Sequence, residues 1–168
     1  PMFGGHTNLF YSVAHHCLAA AELAQEARLP EHGSFAVALF TLLHEAEVVA
    51  YGDIPGPVKL PEQRVVEADF RARLFEQHGT PLPGWIWPQV EFYDKVEQAA
   101  SASWLGLAET VHDGVWASTP DDLKARAVAV TRRLYEEFPP EEQLGVDAPI
   151  VYRFLYKLSE YRAGYLAN

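Results

Sequence analysis

Apolar side chains recur at helical spacing along most of the chain. Leu9, Val13, Cys17 and Ala20 follow one another three or four positions apart, which places side chains on one face of an α-helix. No segment shows the alternation that is typical of strands. We therefore expect an all-α bundle of about six helices, over residues 8–28, 35–51, 61–77, 87–115, 120–138 and 148–166.

The second predicted helix is apolar almost all round. Phe35, Val37, Leu39 and Phe40 point to different sides of it, and a helix of this kind is buried in the centre of a fold. Residues 52–57 read Gly-Asp-Ile-Pro-Gly-Pro, which predicts a loop because proline and glycine end helices. In the predicted helix over residues 87–115, Gly106 is expected only to introduce a bend.

Length and composition indicate one domain over residues 1–168. The chain of 168 residues is long enough to bury a core without disulfide bonds. Its single cysteine, Cys17, excludes an intramolecular disulfide and suits a reducing compartment. No apolar run of about 18 residues predicts a membrane span, and the first residues lack the features of a signal peptide. A cytoplasmic protein is expected.

The charge narrows the function classes. Thirteen basic residues stand against 23 acidic ones, a net charge of −10, which argues against non-specific nucleic-acid binding because that depends on Lys and Arg at phosphates. A small anionic substrate remains possible, since a bound metal ion reverses the field inside one pocket.

His44 and Glu45 interrupt the apolar second helix. Burying such groups without a partner costs several kcal/mol, and a metal ion is a suitable partner for imidazole and carboxylate together. Two further candidates are His15-His16 in the first helix and Asp94 early in the long one.

The order His16, His44-Glu45, Asp94 resembles the H…HD…D pattern of HD-domain metal-dependent phosphohydrolases. The small bacterial and phage branch of that family, which includes 5′-deoxynucleotidases and phage deoxyadenosine triphosphate triphosphohydrolases, is the most similar. The resemblance is strong over residues 3–59 and weaker over residues 88–114. It rests on Phe-Gly-Gly-His-Thr at residues 3–7, Phe-Tyr-Ser-Val-Ala-His-His at 10–16, Leu-Leu-His-Glu-Ala at 42–46 and Gly-Asp-Ile-Pro-Gly-Pro-Val-Lys at 52–59.

The resemblance implies a divalent metal ion: manganese, cobalt, zinc, magnesium or iron. Its ligands would be His16, His44, Glu45 and Asp94. The implied reaction is hydrolysis of phosphate from a small deoxynucleotide, either a monophosphate or a triphosphate, in the cytoplasm of a bacterium or a phage-infected cell.

The resemblance also implies residues that act on the substrate. Asp53 and Glu47 would manage protons at the scissile phosphate. Phe3, His6 and Lys59 would bind the substrate, Lys59 as a point charge on phosphate.

Three positions depart from the family pattern. Glu45 replaces its aspartate, Met2 replaces an arginine, and Val48 stands where a glutamate follows the motif histidine by four residues. Glu47 lies about 100° from Val48 around a regular helix, so it replaces that glutamate only where the helix is distorted. An alternative is therefore an inactive or repurposed relative that binds a nucleotide or small molecule without turnover.

Aromatic residues are dense in the last helix. Because tyrosine and phenylalanine are enriched at interfaces, and because the similar proteins are oligomeric, we expect a homo-oligomer. The aromatic positions are Tyr152, Phe154, Tyr156, Tyr161 and Tyr165.

Overall fold

A computed structural model describes residues 11–27, 33–52, 58–77, 80–107, 113–139 and 148–167. Within these ranges all regular structure is helical, which confirms the expected all-α class. The elements are α1 (Val13–Glu26), α2 (Gly33–Leu42), α3 (Ala46–Tyr51), α4 (Pro61–Gln77), α5 (Trp87–Trp104), α6 (Asp113–Ser118), α7 (Asp121–Glu137) and α8 (Pro149–Leu166).

The core is built around α1 and α2. Every side chain of α1 from His15 to Ala24 is buried, and so are those of α2 from Ala36 to Leu42. The Ser12 hydroxyl caps α1 by accepting a hydrogen bond from the His15 backbone N–H at 3.2 Å, as serine does at many helix starts. α5, α7 and α8 pack against α1. The apolar second segment is thus central, as the sequence predicts.

The prediction of a single helix over residues 35–51 is wrong, because the structure has two helices there, α2 and α3. The chain forms a turn at residues 43–45, where the His44 and Ala46 N–H groups donate to Thr41 and Leu43 carbonyls three residues back, at 3.5 and 3.0 Å. The His44 ring supplies a physical reason, because its Nδ1 lies 2.6 Å from the Thr41 carbonyl oxygen. In a continuous helix that oxygen would accept from the N–H of Glu45.

The helix expected over residues 87–115 is also too long. Gly106 has φ +79°, and Leu107 N–H donates to Ala102 carbonyl at 2.7 Å while Gly106 N–H donates to Ser103 carbonyl at 3.2 Å. These two bonds form a Schellman motif, which ends a helix. Gly106 therefore terminates α5 at Trp104, and α6 is a separate helix.

α4 and α8 attach to the core in different ways. α4 makes its main contacts with short α3, and its Phe75 ring meets Phe40 edge to face at 4.7 Å. α8 lies against α2 so closely that a Cβ atom at Gly164 would come within 2.6 Å of the Phe35 ring. Of the aromatic residues in α8, Tyr161 is fully buried, whereas Tyr152 and Tyr156 are largely exposed.

No helix in the described parts of the chain combines the length and the apolar character that crossing a membrane requires.

Candidate metal centre

Four side chains from three parts of the fold meet at one point. His16 comes from α1, His44 and Glu45 from the turn between α2 and α3, and Asp94 from α5. Each contributes one ligand atom, and these atoms all lie within 4.8 Å of one another. We call these four residues the ligand cluster. The sequence-predicted metal ligands are therefore brought together.

The separations in the ligand cluster suit a shared cation. His16 Nε2 lies 3.1 Å from both His44 Nε2 and Asp94 Oδ1. His44 Nε2 lies 3.4 Å from Asp94 Oδ1 and 3.6 Å from Glu45 Oε1. Ligand atoms placed about 2.1 Å from one ion, at angles of about 90–110°, are roughly 3.0–3.5 Å apart. The donor set therefore fits a divalent ion.

Hydrogen bonds at the far side of each imidazole direct its lone pair into the cluster. His44 Nδ1 lies 2.6 Å from the Thr41 carbonyl oxygen, which only accepts, so Nδ1 carries the proton. His16 Nδ1 likewise donates to a carboxylate oxygen of Glu97. With both protons on Nδ1, both Nε2 atoms are available as ligands, which is the usual arrangement of metal-binding histidines.

The electrostatics of the cluster favour positive charge. Burial lowers the pKa of His16, but the Glu97 and Asp94 carboxylates outweigh it and raise that pKa to about 10. Burial also lowers the pKa of His44. The Cys17 sulfur and the Asp94 carboxylate outweigh this effect and hold that pKa well above its usual value. Burial raises the pKa of Asp94, and both imidazoles more than reverse that effect. The surrounding carboxylates therefore favour a positive charge at this point, whether a proton or a metal cation supplies it.

The cluster is closed on one side and open on the other. The His16 side chain is fully buried and that of His44 nearly so. Asp94 and Glu45 keep 18% and 25% of their side-chain surface exposed. Solvent therefore reaches the centre from the carboxylate side.

The residues predicted to act on substrate are only partly described. Asp53, Phe3 and His6 lie outside the described residues. Lys59 is held in an ion pair, with its Nζ 2.9 Å from Glu67 Oε2.

Glu47 lies in α3, next to the ligand cluster in sequence but outside it. Its side chain is buried, and one carboxylate oxygen accepts from the Arg71 guanidinium of α4. The other oxygen, Oε2, has no hydrogen-bond partner among the described residues. Burial raises the pKa of Glu47, while Arg71 opposes the rise. A buried carboxyl with a raised pKa and one uncommitted oxygen is a candidate for proton transfer.

The adjacent histidine, His15, has a different role. It is fully buried, its Nδ1 lies 2.6 Å from the Ser12 hydroxyl, and its Nε2 lies 2.9 Å from the Phe138 carbonyl oxygen. Burial lowers its pKa. His15 therefore joins the start of α1 to the end of α7 and takes no part in the ligand cluster.

Sequence reasoning missed two residues that surround the centre. Glu97 follows Asp94 by three positions, which places both residues on one face of α5. This spacing could have identified Glu97 as a neighbour of the metal ligands. Arg71 carried no such signal, because α4 reads as a solvated charged helix. In the structure its guanidinium lies 4.8 Å from the centre of the Trp87 ring and pairs with Glu47.

Comparison with known proteins adds a relative without an assigned activity. The chain is 32% identical over 107 residues to the uncharacterized protein YfdR of Escherichia coli (strain K12), across 62% of this chain and 54% of that protein. The chain thus spans about half the length of this curated relative. No family model and no solved structure matches the chain.

Proposed function

We propose that the chain is a metal-dependent phosphohydrolase acting on small deoxynucleotides. The observation that carries the proposal is the convergence of two imidazole nitrogens and two carboxylate oxygens, from three parts of the fold, within 4.8 Å. The resemblance over residues 3–59 supplies the reaction class. The substrate is a deoxynucleoside monophosphate or triphosphate.

The ligand cluster would hold the ion, and the ion's charge would polarise phosphate and lower the pKa of nearby water. The chain's own groups do the rest. His16 and His44 stay fixed by Glu97 and the Thr41 carbonyl. Glu47 offers a buried carboxyl, which takes up or gives a proton.

Charge explains why phosphate binding would need the ion. The chain carries a net charge of −10, and Glu45 and Asp94 line the open side of the cluster. Two cations on the α3–α4 side, Lys59 and Arg71, are already paired with Glu67 and Glu47. For either of them to bind substrate, it would have to exchange its carboxylate for phosphate.

The donor set limits the choice of ion. Two imidazoles and two carboxylates, without a thiolate, suit manganese, iron, cobalt or zinc. Magnesium is the weakest candidate, because it prefers all-oxygen octahedral coordination.

The test is turnover on a defined panel. The chain, purified without chelators, is incubated with manganese, cobalt or zinc and with deoxynucleoside mono- and triphosphates, beside His44→Ala and His15→Ala. We expect metal-dependent product from the unaltered chain and from folded His15→Ala, and none from His44→Ala. Release of phosphate or of triphosphate identifies the subclass. No turnover by the folded, metal-loaded chain would contradict the proposal.

A second candidate is a metal centre that binds a nucleotide or small molecule without turnover. Val48 cannot transfer a proton, and both Glu47 and Lys59 are engaged in ion pairs. The double variant Glu45→Asp with Val48→Glu separates the two candidates. Turnover that appears only in this variant would favour binding without hydrolysis in the natural chain.

We further propose a cytoplasmic homo-oligomer. α8 exposes Tyr152, Leu155 and Tyr156 by 60%, 54% and 62%, and side chains of this kind are enriched at interfaces. Sedimentation of the chain and of Tyr156→Glu tests this. A monomer at all concentrations would contradict it.

A further inference from the structure

Glu97 has the most completely engaged carboxylate near the ligand cluster. It lies on α5 with no exposed surface. One oxygen, Oε2, accepts from His16 Nδ1. The other, Oε1, accepts from the Tyr11 hydroxyl at 2.7 Å and from the Thr131 hydroxyl at 3.1 Å.

The three donors come from different parts of the fold. Tyr11 precedes α1, His16 lies in α1 and Thr131 lies in α7. All three are themselves fully buried. A buried carboxylate is costly unless its oxygens are hydrogen-bonded, so this set of donors holds the Glu97 side chain in one orientation.

We propose that Glu97 is a positioning residue of the metal centre, which holds His16 with its Nε2 lone pair toward His44 and Asp94, and that Tyr11 and Thr131 hold Glu97 in turn. The inference rests on the metal-binding part of the proposed function and deepens it. Glu97 stands behind the imidazole of His16 and outside the ligand cluster. It therefore acts on a metal ion through His16 alone.

The two histidines of the cluster offer a contrast. His44 is held by a backbone carbonyl, that of Thr41, which no substitution removes. His16 is held by a side chain, so its positioning can be changed by a single substitution. Loss of such an outer partner lowers metal affinity about 10- to 100-fold in general.

The experiment measures the Kd of Co²⁺ by competition with a chromophoric chelator, without any substrate. Glu97→Gln keeps the shape and removes the charge, and we expect its Kd to rise about 10- to 100-fold. Thr131→Val and Tyr11→Phe remove one donor each and should raise the Kd by smaller factors. The matched control is Glu91→Gln, an exposed glutamate of the same helix, which should leave the Kd unchanged.

A spectroscopic measurement separates positioning from mere stability. In the Co²⁺ form, the Nδ1–H protons of ligating histidines give shifted proton resonances, and we expect two in the unaltered chain. Glu97→Gln should lose or move one resonance, that of His16. A loss of stability alone would lower the melting temperature and leave the Kd of the folded fraction and both resonances in place.

Three results would overturn the inference. The first is a Kd within twofold of the unaltered chain for folded Glu97→Gln. If that variant does not fold, a Kd unchanged in folded Thr131→Val has the same force. The third is no stoichiometric Co²⁺ binding by the unaltered chain. Failure of hydrolysis with normal Co²⁺ binding would instead count against the proposed reaction and leave Glu97's role standing.

Discussion

The two sides of the ligand cluster are built differently. On the side of α1, α5 and α7, His16 and Glu97 are fully buried, and both carboxylate oxygens of Glu97 accept hydrogen bonds from buried side chains. On the α3–α4 side, Glu47 and Lys59 are bound to other charged side chains, and α4 exposes Val65 and Val66 by 69% and 50%.

This difference indicates that the two sides have different roles. The α1–α5–α7 side holds ligand atoms in fixed positions, as a metal ion requires. The α3–α4 side keeps its charges in ion pairs, which under the proposed function a phosphate would replace. We expect substitutions on the first side to change metal affinity, and substitutions on the second to change substrate binding and the attachment of α4.

The largest expected effect separates the adjacent histidines. His16→Ala and His44→Ala each remove a ligand, and we expect at least a hundredfold loss of Zn²⁺ or Co²⁺ affinity, measured by chelator competition and by metal content after dialysis. His15→Ala should destabilise the fold and retain the metal, because the ring nitrogens of His15 contact Ser12 and Phe138 and none of the four ligands. An equal loss of metal from folded His15→Ala would contradict the distinction between His15 and the two ligating histidines.

The pH dependence of stability should differ with and without metal. In the metal-free chain the pKa of His16 is raised from 6.5 to about 10, so its contribution is complete below pH 6.5 and is lost as the pH rises toward 10. The pKa of Asp94 is lowered from 3.8, so its contribution is lost as the pH falls through acid values. Both residues therefore contribute fully to the stability of the metal-free fold between about pH 3.8 and pH 6.5.

A cation bound at the cluster would replace the His16 proton, so the stabilising effect of the cation should grow with pH. We expect the melting temperature in chelator to fall between pH 6.5 and pH 9, and the increase caused by Zn²⁺ or Co²⁺ to become larger over the same range. A metal-induced increase that shrinks with rising pH would show that protons and metal do not compete at the cluster.

Glu47 and Arg71 test the α3–α4 side. Arg71→Met removes the counter-charge of a buried carboxylate, and breaking such a pair at a partly open position should cost about 2 kcal/mol. Hydrogen exchange should become faster in α4, while the Kd for Co²⁺ stays within a factor of two. Arg73→Met, which breaks an exposed pair with Asp69, is the control and should change stability by less than about 0.5 kcal/mol. Weakened metal binding in Arg71→Met would show that the two sides are not independent.

The smallest expected effect concerns the contact of α8 with α2. Gly164→Ala places a Cβ atom 2.6 Å from the Phe35 ring, and overpacking of this kind costs about 1–2 kcal/mol. Gly114→Ala, with nothing within 4 Å of its Cβ position, should be neutral or slightly stabilising. Chemical denaturation of both variants gives the difference. Equal stability would mean that α8 moves away from α2 freely.

The sequence predicted helices where local signals are strong. α4 begins at Pro61 and ends at Gln77 as expected, and α8 begins one residue after its predicted start. The break at residues 43–45 could not be predicted in this way, because it depends on where the His44 ring points. The end of α5 was missed because Gly106 was expected to bend the helix, whereas the N–H groups of Gly106 and Leu107 close a terminating motif.

The candidate site divides in the same way. The order of His16, His44-Glu45 and Asp94 was visible in the sequence, and the structure brings these side chains together. The groups that hold these ligands in place were not visible in the sequence. Thr41 acts through its backbone carbonyl, which any residue has, and Thr131 lies 34 residues from Glu97. Contacts of this kind depend on tertiary packing, which periodicity does not report.

The most direct test is anomalous diffraction from crystals grown with Zn²⁺ or Co²⁺. The account predicts one strong peak per chain, about 2.0–2.2 Å from Nε2 of His16, Nε2 of His44, Oδ1 of Asp94 and a Glu45 oxygen. An ordered ligand cluster without an anomalous peak, or a metal ion held elsewhere in the chain, would contradict it.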